Sequence, residues 1–325
     1  MIDRREFIGA TALSLVAAPF AAKAEQTGKV YKIGFLTLGS SSAPPDAFYQ
    51  GLRELGWVEG KTFVIMPKFA QYKSERLPEL VAQLVQLKVD VIVVSTAEAA
   101  LAAKHGTRAI PIVAVDPADA VAIGLVASLA RPGGNVTGLS YLGTELVGKQ
   151  MELLREAVPS LSRVAVLTNP ANPTHSPRLR AAAAAAEQLG VKLAPIEART
   201  QGELDKAFAE MTRMRAVGVL VLTDPMFGAE ARRLAQLAAK SGVPAMYGFK
   251  SHVMAGGLMS YGVDLLELFH RAAAYVDKIL KGTKPADLPI EQPTTFQFII
   301  NLKTAKALGL AIPPSLLVRA NEVIQ

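Results

Sequence analysis

The chain has 325 residues, 35 lysines and arginines against 28 aspartates and glutamates for a formal charge of +7, and no cysteine. That length suits two domains, each able to bury its own core, and the absence of thiols excludes disulfides, thiol catalysis, iron–sulfur or cysteine–zinc ligation and a lipid-modified N-terminal cysteine. The charges are interspersed along amphipathic stretches instead of forming a block, which argues for solvated helix faces and against a nucleic-acid surface.

In chain order, residues 1–24 read as an export signal. Arg4 and Arg5 supply the charged region, Phe7 to Ala22 an apolar stretch short of a secure membrane span, and Ala22-Lys23-Ala24 a small-x-small cleavage site. Asp3-Arg-Arg-Glu-Phe-Ile8 is similar to the twin-arginine export motif, with a general secretory signal as the alternative. The mature chain would begin near Glu25, in the periplasm. No later stretch is apolar for long enough to span a bilayer.

Val30 to Leu38 predicts a first strand, Gly39-Ser-Ser-Ser-Ala-Pro-Pro45 a loop, and Asp46 to Leu55 a helix stopped by Gly56. Thr62 to Phe69 predicts a second strand, and Ser74 caps a helix running to Leu87. Val89 to Ser95 is nearly continuous in β-branched residues, as a parallel strand covered on both faces requires. Thr96 opens a helix over Ala97 to His105, Ile110 to Val115 is a fourth strand, and a helix over Val121 to Leu129 follows. The stretch Leu129-Ala-Arg-Pro-Gly-Gly-Asn-Val-Thr-Gly-Leu-Ser-Tyr141 then reads as a hinge between two similar halves. Pro132 ends the helix, Gly133, Gly134 and Gly138 permit unusual backbone angles, and Val136 to Leu139 is extended.

The second half repeats the pattern. Helices are expected over Thr144 to Val158, from Ser176-Pro177 to Gly190, over Gly202 to Met214 and over Gly228 to Lys240, with strands over Arg163 to Asn169, Lys192 to Glu197, Val217 to Thr223 and around Pro244 to Tyr247. Ala255-Gly-Gly-Leu-Met-Ser-Tyr-Gly262 again sets Gly256 and Gly257 before an extended run closed by Gly262, which marks a return crossing. Asp264 to Leu280 is a helix expected to pack back on the first lobe. Pro285 to Pro293 is a surface connection, Phe296 to Asn301 a last strand, and two short helices lie near Ala305 and Leu317. Alternating strands and helices imply an α/β protein with two doubly wound parallel-sheet lobes and a cleft between them.

Open parallel sheets bind ligands beyond the carboxyl ends of their strands. The candidate ligand contacts are therefore Ser40, Ser41 and Ser42; Ser95 and Thr96; Asp116; Asn169 and Asn172; Asp224; Tyr247 and Phe249; and Ser140, Tyr141, Ser260 and Tyr261 at the crossings. This set is rich in hydroxyls and amides, holds two aspartates and several rings, and contains no arginine. No phosphate-binding glycine motif is present. The set suits an ammonium-bearing solute such as an aromatic amino acid: the N–H groups after Ser95 would hold a carboxylate, Asp116 or Asp224 an ammonium, and the rings an apolar body. Asp116-Pro117 and Asp224-Pro225 also fit plain helix caps, Ser40 to Ser42 a flexible loop, and the two crossing tyrosines hinge packing. His105, His175, His252 and His270 show no metal spacing and read as surface residues. The G-x-S-x-G elbow is absent, because Leu142 stands where its second glycine belongs. No nucleophile–base pair, metal or cofactor is expected, and an enzyme is not.

Tyr31-Lys-Ile-Gly-Phe, Gln50-Gly-Leu-Arg-Glu-Leu-Gly-Trp-Val-Glu-Gly60, Ile110-Pro-Ile-Val, Leu129 to Gly138, Asn169-Pro-Ala-Asn-Pro173, Ala255 to Gly262 and Ile300-Asn-Leu-Lys-Thr-Ala-Lys-Ala-Leu-Gly-Leu310 together carry a resemblance. The chain resembles the ABC transporter substrate-binding proteins of the family that includes tryptophan- and tyrosine-binding members. The resemblance implies a type I periplasmic-binding-protein fold with a three-segment hinge, its third crossing near Glu291 to Phe296. One lobe would comprise 29–138 with 262–291, the other 139–261 with 292–325. It also implies that the loops carrying Ser95, Thr96, Asn169, Asp224 and Tyr247 contact the ligand. The implied partners are a small-molecule ligand and an ABC permease with its separate ATPase, with no nucleic acid, membrane contact only through the permease, and a monomeric state. A receptor of the same fold that signals to a membrane sensor without transport is the alternative.

Overall fold

The computed structural model describes residues 29–40, 44–115 and 117–325. The export-signal reading and the candidates Ser41, Ser42 and Asp116 lie outside the described residues.

The first sheet holds β1 (Tyr31–Thr37), β2 (Phe63–Phe69), β3 (Val91–Val94), β4 (Ile112–Val115) and β5 (Val136–Leu139) in the order β2-β1-β3-β4-β5, every pair parallel. The second holds β6 (Arg163–Thr168), β7 (Lys192–Glu197), β8 (Gly218–Val221), β9 (Ala245–Tyr247), β10 (Met259–Gly262), β11 (Gln297–Asn301) and β12 (Glu322–Ile324) in the order β12-β11-β10-β9-β8-β6-β7. Its one antiparallel pair is β10 with β11. The central strands β3, β4 and β8 are buried along their whole length, as expected of apolar runs covered on both faces.

Helices α1 (Asp46–Glu54), α2 (Leu77–Gln86) and α3 (Ala97–Gly106) belong to the first sheet's connections. The second lobe is built with α4 (Gly143–Ala157), α5 (His175–Gln188), α6 (Leu204–Arg213), α7 (Pro225–Ala229), α8 (Ala231–Lys240) and α9 (Lys250–Met254). Then come α10 (Leu265–Leu280), α11 (Leu302–Ala307) and α12 (Pro314–Arg319). The caps are those that the residue types favour: Thr96 accepts from the Ala99 N–H, Asp264 from Leu266 and Glu267, and Asn301 from Thr304. Each sheet is lined on both faces by an apolar cluster, so each lobe has its own core.

The chain passes between the lobes three times. After β5 it continues into α4 beneath the second sheet, and after β10 it returns to α10, whose Leu268, Phe269, Ala272 and Val276 enter the first lobe's core beside Phe35 and Val93. Glu291 then bridges to Leu139 before the chain re-enters the second sheet as β11. The two lobes also touch directly, because Tyr72 of the first packs on the second lobe's core and Phe249 of the second packs on the first lobe's.

Several local expectations are corrected. Val121 to Leu129 is a series of turns instead of a helix, with Asp119 and Gly124 at φ of 53° and 72°, so Pro132 follows a loop. Ser74 starts a short 3-10 turn that leads into α2 and does not cap it with its side chain. The helix expected over Gly228 to Lys240 is two helices broken at Glu230, the first of them starting on Asp224. The alanine-rich helix starts at His175, before Ser176-Pro177. Leu288 and Ile290 in the supposed surface connection are buried, and the final strand is β12, beyond Phe296 to Asn301. Helix α9 was not anticipated. No helix among the described residues is long and apolar enough to cross a membrane.

Candidate functional site

A cavity of about 330 Å³ lies between the lobes at the carboxyl ends of both sets of strands, within the range of small-molecule sites. The first lobe contributes Thr37 at the end of β1 and Ser95 to Glu98, where β3 turns into α3. From α10 come Leu265 and Phe269. The second lobe contributes Asn172, Thr174 and Arg178 around the start of α5, Thr223 and Asp224 after β8, and Phe249 and Ser251 after β9. Tyr141 enters from the first crossing.

Asp224 divides its carboxylate between two tasks. Its Oδ1 accepts the Met226 N–H at 2.8 Å and caps α7, while Oδ2 accepts from the side-chain amides of Asn169 at 3.2 Å and Asn172 at 3.0 Å. The cap reading of this aspartate is met by Oδ1, and the same residue lines the cavity. Asn172 is held in turn by donation to its Oδ1 from the Thr174 N–H and hydroxyl.

His175 lies behind this carboxylate, with Nε2 4.0 Å from Asp224 Oδ2. Its Nδ1 accepts the backbone N–H of Asn169 at 2.8 Å, so Nδ1 carries no proton, and Nε2 must donate to the Thr223 carbonyl 3.0 Å away. The ring is therefore the neutral Nε2–H form. Burial, aided by the charge of Arg178 and opposed by that of Asp224, depresses its pKa in agreement with that geometry. His175 and His252 are both buried, which corrects their reading as surface residues. Their strands and helix starts turn inward, and sequence spacing alone does not reveal that.

Arg178 is 1% exposed and lines the cavity. Its Nη1 donates to Thr223 Oγ1 at 2.5 Å and to the Thr223 carbonyl at 3.3 Å, and the guanidinium lies 5.9 Å from the Tyr141 ring centre. Tyr141 OH and Thr223 Oγ1 are 2.9 Å apart, which joins the crossing segment to the second lobe's cavity wall. Arg178 Nε is buried without a partner. Across the cleft, Glu98 in the first turn of α3 has a sealed Oε2 that also lacks a partner. Burial pushes the Glu98 carboxyl up to about 7, and the negative charge of Asp224 adds to the rise.

Of the candidates read from the sequence, Ser95, Thr96, Asp224, Asn172, Tyr141 and Phe249 are brought together around this cavity. Asn169 stands behind Asp224. Ser140 is buried and ties the neighbouring segment, donating to the Pro117 carbonyl at 2.6 Å and accepting from Ala120. Ser40 is exposed, its Oγ 3.5 Å from Tyr72 OH. Tyr247 is fully buried in the second lobe's core, stacked on His252 at 4.8 Å, with its hydroxyl unpartnered. Ser260 is buried within β10, and Tyr261 packs against Phe296 and Phe298 while its carbonyl accepts from Gln150 at 2.7 Å.

The glycines divide similarly. Gly133 (φ +78°) and Gly134 form a loop before β5, and Gly256 (φ +106°) and Gly257 precede β10. Gly138 and Gly262 lie inside the strands that lead to the crossings, where a Cβ would sit 2.0 Å from the Ala114 carbonyl oxygen and 1.9 Å from that of Gly248. Close backbone approach is what excludes a side chain there.

Two charged cavity residues, Arg178 and Glu98, escaped the sequence reading. The expectation of a site without arginine is corrected by Arg178, which one turn of helix carries back from His175 to the strand end. Glu98 looked like an ordinary first-turn acid after the Thr96 cap. The available signal was positional only: both lie in the first turn of a helix that follows a strand, Glu98 in α3 and Arg178 in α5.

The family model described as "ABC transporter substrate binding protein" matches residues 35–324. A tyrosine-binding protein of Clostridioides difficile (strain R20291) is 26% identical over 264 residues, covering 81% of this chain and 75% of that protein. Among solved structures, a conserved domain protein from Vibrio cholerae O1 biovar El Tor is 28% identical with a TM-score of 0.85, over 91% of this chain and all of that one. An ABC domain in complex with L-Trp from Streptococcus pneumoniae is 25% identical with a TM-score of 0.84, over the same shares.

Proposed function

We propose, from the premise that this chain belongs to the ABC transporter substrate-binding protein family, that it captures an amino acid with an aromatic or apolar side chain between its lobes and delivers it to the permease of an ABC importer. The family is one of solute-binding proteins, not enzymes. Its members work outside the cytoplasmic membrane, and we read this chain as a periplasmic monomer once its signal is removed.

One observation carries the ligand class. A buried guanidinium, Arg178, and a buried carboxylate, Asp224, line the same cavity as the rings of Phe249 and Phe269. In this reading Arg178 and the N–H groups opening α3 hold the ligand carboxylate, Asp224 its ammonium, and the rings its side chain. The names of the tyrosine-binding and L-Trp-bound relatives support the same class. The lobes, taken as 29–138 with 262–291 and 139–261 with 292–325, would close when a ligand contacts both walls, with the crossings absorbing the rotation. The closed rim is what the permease, driven by its ATPase, would recognise.

The test is thermal unfolding of the chain from Glu25 against the common amino acids and their deaminated and decarboxylated analogues. A ligand at a hundredfold excess over its Kd adds about 2.7 kcal/mol, a shift of several degrees. The expected result is a clear shift with tryptophan, tyrosine, phenylalanine or a branched amino acid. No shift with any amino acid overturns the ligand class.

A further inference from the structure

Resting on the reading that the cavity takes an ammonium-bearing ligand, we propose that Glu98 determines specificity together with Asp224: the two carboxylates, one from each lobe, grip the ligand's ammonium between them, and Glu98 gives up a proton to solvent as the cation arrives.

Glu98 projects into the cavity from the first turn of α3, and Asp224 from the loop after β8. The oxygens of Asp224 already receive one backbone N–H and two side-chain amides, whereas Glu98 Oε2 is sealed from solvent with no partner. A buried acid in that position keeps its proton until a positive charge offsets ionisation. The surrounding elements offer no such charge. Strands β3 and β4, packed on α3, are apolar throughout, and the one acid of α2, Glu79, is exposed. His175 behind Asp224 is neutral, and Asp119, an acid, accepts through Oδ1 from the Thr144 N–H and hydroxyl. Arg178 lines the cavity and keeps its charge, since its hydrogen bonds go to the neutral Thr223, and in the reading above it serves the ligand's carboxylate; the charge that acts on Glu98 is that of Asp224. An ammonium placed between Glu98 and Asp224 supplies what the protein lacks.

The step balances simply. The Glu98 O–H proton passes to a buffer base, and the resulting carboxylate pairs with the ligand's ammonium, which keeps its own protons. Because the carboxyl without a cation titrates near 7, about nine-tenths of a proton leaves per ligand bound at pH 6, half at pH 7 and a tenth at pH 8. The apparent affinity therefore rises about tenfold from pH 6 to pH 8. A group pulled across the cleft by one charge from each lobe also favours the closed state over the open one.

The experiment is calorimetric titration of the full chain at pH 6, 7 and 8 in buffers of different ionisation enthalpy. The probes are L-tryptophan, tryptamine, which keeps the ammonium alone, and indole-3-propionate, which keeps the carboxylate alone. Expected are proton release with tryptophan and tryptamine, none with indole-3-propionate, and loss of both release and pH dependence in Glu98→Gln. Tryptophan binding with no dependence on buffer, or an unchanged release in Glu98→Gln, overturns the proposal while leaving the ligand class standing. Where the unfolding screen selects another amino acid, that acid with its decarboxylated and deaminated analogues replaces the tryptophan set, and binding of the decarboxylated amine without proton release overturns this inference alone. The buffer dependence of the unmutated chain decides the matter even if the variant folds poorly.

Discussion

Buried histidines set the acid sensitivity of the fold. His252 is stacked on Tyr247, its Nε2 lies 3.2 Å from the Phe227 carbonyl, and its Nδ1 has no partner. Burial lowers its pKa to about 4 from an ordinary value of 6.5. Between those values the unfolded chain binds a proton that the folded one refuses, so stability falls as pH drops from about 6.5 to 4, by on the order of 3 kcal/mol for this ring. His175 is shifted in the same direction and adds to the loss. Glu98 has the opposite sign: its raised pKa makes its contribution complete below about 4.5 and lost as pH rises through 7, so it offsets part of the histidine effect. The two histidines outnumber the one acid, and the chain is expected to unfold several degrees lower at pH 4.5 than at pH 7. His252→Gln should flatten this slope whatever its effect on stability at neutral pH; a slope equal to the parent's would show that the ring does not carry it.

Helix α10 is the element that ties a late stretch of sequence to the first lobe. It lies so close to α1 that a Cβ on Gly51 would fall 2.5 Å from the His270 carbonyl oxygen and 2.8 Å from the Ala273 Cβ. Asp277 on the same helix accepts the Trp57 indole N–H at 2.9 Å, next to that contact. Gly51→Ala should force the helices apart and destabilise by about 1–3 kcal/mol, although alanine is the better helix former. Trp57 is the chain's single tryptophan, so urea unfolding followed by its fluorescence reports this lobe directly. An unchanged or higher midpoint would mean that the contact relaxes without cost.

Across the whole molecule, two aromatic contacts bridge the lobes beside the cavity. Tyr72 sits with Gln71 at φ of 61° and 55°, a left-handed pair held by the Gln71 and Tyr72 N–H groups donating to the Gly39 and Leu38 carbonyls at 3.1 and 2.6 Å. Such angles cost about 1 kcal/mol or more each for residues other than glycine, and here they aim the Tyr72 ring at the second lobe's core. Removing the ring should favour the open arrangement. Tyr72→Ala is expected to bind the ligand several-fold more weakly and, at matched partial saturation, to give a larger radius of gyration in small-angle scattering. Affinity and compactness equal to the parent's would rule out a closing role for this contact.

The sequence by itself determined the alternation of strands and helices, because β-branched runs, caps and glycine stops are local signals that each element carries within its own residues. Val91 to Val94, the Thr96 cap and the Asp264 cap needed nothing from outside. It also determined that the strand ends would carry the polar loops, which is where Ser95, Thr96, Asn172 and Asp224 meet. Tertiary structure alone decided which side chains turn inward. Tyr247 ends a strand yet fills a core, and Arg178 lies within a helix yet reaches the cavity, because a side chain's direction depends on how its element is rotated against its neighbours. It decided the burial of His175 and His252 for the same reason. The failed helix over Val121 to Leu129 has a similar cause: its apolar residues Leu125 and Val126 are buried through turns that the surrounding sheet shapes, and local pattern cannot distinguish that from a helical face. The facing of Glu98 and Asp224, 126 positions apart in the numbering, exists only once two separately folded lobes are set against one another.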